Sequence, residues 1–121
     1  MSQPAPALQS KMEGIVTEMR KIEADMGRVI NTRVGLQSQL TENKNVMKEL
    51  ELLDADATVY KLVGPLLVKQ DCVEAKTNVQ KRIDFIDKEV KRSDETISSL
   101  EKQQDAKRRE MVDVRQKAAQ G

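Results

Sequence analysis

Apolar residues recur along most of this chain at intervals that alternate between four and three. The first run carries Leu8, Met12, Ile15, Met19, Ile22, Met26, Val29, Leu36, Leu40, Met47 and Leu50, with Arg33 and Asn43 as its polar members. The second carries Cys72, Val79, Ile83, Ile86, Val90, Ile97, Leu100, Met111, Val114 and Ala118, with Lys76, Ser93, Gln104 and Lys107 in the same register. A 3.5-residue repeat held this long is the pattern of a left-handed coiled coil, because it keeps one narrow stripe facing a partner helix. No Pro interrupts either run. Each arm, roughly 48 residues, would extend about 70 Å at 1.5 Å per residue.

Composition supports a seam rather than a thick core. Aromatic residues make up 2% of the 121 residues, with Phe85 and Tyr60 alone and no Trp, while charged residues make up 34%. Large aromatic side chains supply much of the burial in compact cores. Here the aliphatic stripes must do it.

The period changes between the arms. Thr58 to Val63 and Leu66 to Gln70 are rich in β-formers and flank Gly64-Pro65, a pair compatible with a type II′ turn. Asp71 followed by Glu74 reads as a capping box opening the second helix, and Pro4 and Pro6 fit before or within the first helical turn. The expected fold is mainly α: a long antiparallel two-helix coiled coil with a single β-hairpin at the connecting end. It forms one domain over 1–121, with helices over 7–54 and 71–119 and the hairpin over 58–70. Folding back at Gly64-Pro65 places Leu40 opposite Ile86 and Arg33 opposite Ser93.

The hairpin is apolar on both faces, through Val59, Tyr60, Leu62, Val63, Leu66, Leu67 and Val68. An isolated two-stranded hairpin is marginal in water, and its edges offer unpaired backbone groups to a neighbouring strand. Other hairpins should complete the sheet, so residues 58–70 are expected to be an oligomerisation element.

Little in the chain suggests catalysis. It has no His, the commonest general base and metal ligand. The five Gly are scattered singly, so no phosphate-cradling loop is present. The carboxylates of Glu49, Glu51, Asp54 and Asp56 read as a solvated face, and Cys72, at a seam position, as a packed small residue. The run Lys107-Arg108-Arg109 is interleaved with Asp105, Glu110 and Asp113, which fits a solvated helix face better than a nucleic-acid contact. The net charge of +1 gives no reason to expect nucleic acid or anionic membrane as a partner. No enzyme, cofactor or metal is expected. One cysteine and no signal-peptide pattern at the N-terminus make the cytoplasm the expected location.

The string Val59-Tyr60-Lys61-Leu62-Val63-Gly64-Pro65-Leu66-Leu67-Val68-Lys69-Gln70, set between two heptad arms, closely resembles the β-class subunits of prefoldin. The resemblance covers essentially the whole chain; its specific part is the hairpin. It implies an ATP-independent chaperone: a heterohexamer of two α-class and four β-class subunits, whose hairpins build a double β-barrel platform. It also implies that the ends of the arms hold unfolded clients such as actin and tubulin for delivery to the cytosolic group II chaperonin. By position in the arms, the client-facing residues would be Leu8, Met12, Ile15, Met111 and Val114. Methionine at such positions suits varied partners, because its side chain is unbranched and polarizable. The rival reading is a structural coiled-coil scaffold or tether without client holding.

Overall fold

The computed structural model describes residues 5–120. Helix α1 (Pro6–Glu51) is followed by strands β1 (Thr58–Val63) and β2 (Leu66–Asp71), then by helix α2 (Cys72–Gln120). Every seam position of the heptad reading is buried or half-buried, and most residues between them are exposed. Pro4 lies outside the described residues. Pro6 opens α1, where its missing N–H goes unneeded.

The chain divides into two compact units. Arg33–Arg92 is the connector unit; Met1–Thr32 with Ser93–Gly121 is the terminal unit. In the connector unit Leu40 packs with Ile86 and Val90, supported by Leu36 and Ile83. Nearer the strands, Leu50 packs with Ala75 and Val79, with Met47, Val59 and Ile83 around them. Rising numbers on α1 meet falling numbers on α2, so the helices run antiparallel here, with Leu40 beside Ile86 as the fold-back requires. In the terminal unit Ile15, Met111 and Val114 form a third cluster, lined by Leu8, Met12, Val16 and Met19.

Two details differ from the heptad reading. At the start of α2 the buried residue is Ala75, 6% exposed, while Lys76 is half-buried. Ala75 packs with Leu50 near the end of α1. A half-buried position suits a lysine, because its long apolar stem can be covered while the charged head keeps its water. Helix α1 also stops at Glu51, short of Asp54. The Leu52 and Leu53 amides donate to the Glu49 and Leu50 carbonyls at 3.2 and 3.1 Å, tightening the last turn to an i−3 pattern. The next heptad position would be Asp54, an exposed charged residue that does not extend the apolar stripe. At the start of α2, the Glu74 amide donates to Asp71 Oδ1 at 2.8 Å, so Asp71 caps the helix as the sequence suggested.

Leu40, 4% exposed, tests the seam. Leu40→Ala should destabilise the chain by about 2–5 kcal/mol in urea unfolding. Val34→Ala, at a position 59% exposed on the same helix, should change it by less than about 0.5 kcal/mol.

Candidate functional site

Strands β1 and β2 form a two-stranded antiparallel sheet, paired from Thr58–Asp71 to Val63–Leu66. Gly64 has φ of 60°, and Pro65 holds φ near −65° by its ring. A positive first and negative second central residue is the sign pattern of a type II′ turn, whose twist suits a hairpin.

Directly paired residues share a face, so this register sorts the apolar side chains. Val59, Val63, Leu66 and Val68 lie on one face, and Tyr60, Leu62 and Leu67 on the other. Val59 is half-buried against the Leu50 cluster. The other six are exposed, from 46% at Val68 to 69% at Leu67. In a two-stranded sheet each strand also keeps one edge of backbone groups that the sheet leaves unpaired. Leu52, Leu53 and Val73, at the adjoining helix ends, are exposed as well. Apolar exposure thus concentrates around the connector, where single scattered apolar residues would be ordinary.

The five residues expected at the arm ends sit differently. Ile15, Met111 and Val114 are buried against one another, with Val114 only 2% exposed. Leu8 and Met12 are half-buried beside them. The seam is therefore closed in the terminal unit. One flank of that unit carries a partly apolar groove, which heptad reading alone does not reveal. Val16, Met19, Met111 and Val112 line a groove of about 510 Å³ together with Arg20, Arg108, Arg115 and Glu23. A second hollow shares Val16, Arg20, Met111 and Arg115 with it and adds Met12 and Glu13. The only signal in the sequence is arginine beside a seam position on both helices.

On the other flank Lys107 bonds to Glu18 across the two helices and to Glu110 at 3.3 Å. The hydrogen bond to Glu18, then that to Glu110, raises the Lys107 pKa above its ordinary value, with burial opposing. Cys72 is fully buried, and its thiol faces the Leu50 carbonyl at 3.8 Å. Among the described residues no group of three or more His, Cys, Asp or Glu is placed to hold a metal ion, and no helix is long and apolar enough to cross a membrane.

A family model described as "Prefoldin subunit" matches residues 13–119. Prefoldin subunit 6 of Arabidopsis thaliana is 44% identical over 110 residues, covering 91% of this chain and 85% of that protein. Prefoldin subunit 6 of Homo sapiens is 38% identical over 112 residues, covering 93% and 87%. In fold, the chain superposes on the crystal structure of the prefoldin beta subunit from Thermococcus strain KS-1 with a TM-score of 0.80. Identity there is 22%, over 92% of this chain and 94% of the other.

Gly64 offers a test of the turn. A Cβ there would meet no atom within 4 Å, so Gly64→Ala has no steric clash with neighbours to resolve. The positive φ alone should lower stability by about 1–3 kcal/mol, read as a shift of the urea midpoint with unchanged slope.

Proposed function

Because the chain belongs to the prefoldin family, we propose that it is a non-enzymatic subunit of an ATP-independent, heterohexameric chaperone that holds unfolded proteins and delivers them to the cytosolic chaperonin. The observation that carries this reading is the hairpin, with six exposed apolar residues on two faces and an unpaired edge on each strand. In water such an element is a liability; completed by hairpins of α-class and β-class partner subunits, it is an interface. Val59, Tyr60, Leu62, Val63, Leu66, Leu67 and Val68 are the side chains assigned to that interface.

Client holding is assigned to the ends of the arms, around Leu8, Met12, Ile15, Met111 and Val114. Actin and tubulin are the expected clients and the cytoplasm the expected compartment. Each contact with an unfolded chain would contribute about 25 cal/mol per Å² of buried apolar surface. Several subunits gripping together would multiply the effect through high effective concentration. Such a grip needs no nucleotide to form or release. The closed packing of Ile15, Met111 and Val114 favours the rival reading, a scaffold with no holding role, and the two are separated by a functional assay.

Val63→Asp or Leu67→Asp would put a charge into the completed sheet at a cost on the order of several kcal/mol. The expected result is unchanged helical circular dichroism with loss of co-assembly with partner subunits. Normal co-assembly would mean that the hairpin is not the joining element. Trimming residues 1–15 and 111–121 should leave the assembly intact and weaken suppression of aggregation of a denatured client. Full protection by the trimmed complex would leave the scaffold reading for this subunit.

A further inference from the structure

Helical periodicity puts two kinds of charge on the two flanks of the terminal unit. Lys107 is matched internally, bonded to Glu18 and Glu110. On the groove flank Arg108 reaches Asp105 at 3.5 Å, at the outer limit of a hydrogen bond. Arg20 and Arg115 are exposed and form no ion pair with any described residue. Both face the same hollow, over Val16 and Met111. The linings of the two hollows hold three arginines with Glu13 and Glu23. With Arg108 turned to Asp105, Arg20 and Arg115 are the arginines of the groove that stand without an ion pair among the described residues, above an apolar floor.

This arrangement suits one ligand chemistry. The floor takes aliphatic or aromatic side chains, and its methionines adjust to irregular shapes. An arginine fork binds a carboxylate through two parallel hydrogen bonds, strengthened where apolar neighbours exclude water. Neither Arg20 nor Arg115 gives up an internal partner to do so. We propose that this groove is a client-holding surface selective for unfolded segments whose apolar side chains are flanked by Asp or Glu. The proposal rests on the client-holding reading above and names the class of segment held.

The test uses the full chain assembled with its partner subunits. Three fluorescent peptides serve as probes, sharing one apolar sequence flanked by Glu, Gln or Lys. The native complex should bind the Glu-flanked peptide on the order of tenfold more tightly than the Gln-flanked one, and the Lys-flanked one least. Added salt should narrow the gap. Arg20→Glu/Arg115→Glu changes only exposed side chains, so helical circular dichroism should hold while the order of affinities inverts. Equal affinities in the native complex, or an unchanged order in the variant, would overturn the proposal. Failure of the variant to assemble would also overturn it, marking the groove as a seat for a neighbouring subunit. Suppression of aggregation of a denatured client, measured on the native complex, reads holding separately. Protection with equal peptide affinities removes charge selection alone, whereas no protection and no peptide binding removes the holding reading as well.

Discussion

Leucine, isoleucine and valine packed one layer deep, as Leu40 lies on Ile86 and Val90, are what make two polar helices into a fold. Neither helix has a second apolar face to lose. With 34% of residues charged, each keeps most of its circumference in water, and the stripe is the surface that must be covered. A coiled-coil seam satisfies it with the fewest apolar residues, since each knob enters a hole made by four neighbours. The polar members of the stripe follow from the same thinness. Lys107, at a seam position, remains 25% exposed and reaches Glu18 on the facing helix. A one-layer seam leaves charged heads close enough to water to avoid the penalty of deep burial.

The connector is the part of the fold where this solution fails. Strands cannot share a 3.5-residue stripe, and a hairpin of two strands has no layer to rest on beyond Val59 at the Leu50 cluster. The residues that would fill a sheet core therefore stand in solvent, in contrast to the helices. That contrast separates a unit whose apolar demands are met within one chain from an element whose demands point outside it.

Heptad spacing made both helices readable, because a period held over a dozen repeats has few alternative explanations. Gly64-Pro65 and Asp71 were readable for local reasons: one requires positive φ, the other supplies an oxygen to an unpaired amide. The end of α1 was less so. Leu52 and Leu53 are good helix formers, and nothing in their local sequence marks Glu51 as the last helical residue. The terminal groove lay further from view. Val16 and Arg20 on α1, and Val112 and Arg115 on α2, come together only after register and rotation are set by the seam. Periodicity within one helix says that these positions flank the stripe; it does not say which flanks meet. The same holds for burial at Ile15, Met111 and Val114, where the sequence marks seam positions but not whether the seam is shut.

Cys72, the single cysteine of the chain, is its first α2 residue and is fully shielded, with its sulfur turned toward the Leu50 carbonyl near the end of α1. A thiol in that corner meets a reagent in solution only during moments when the helix bases part. The ratio of its labelling rate to that of an unprotected thiol then measures how often the corner opens. The protein thus carries a native chemical clock for its own breathing, placed where the helices join the hairpin. Its ticking would slow if anything seated on the hairpin also clamped the helix bases together.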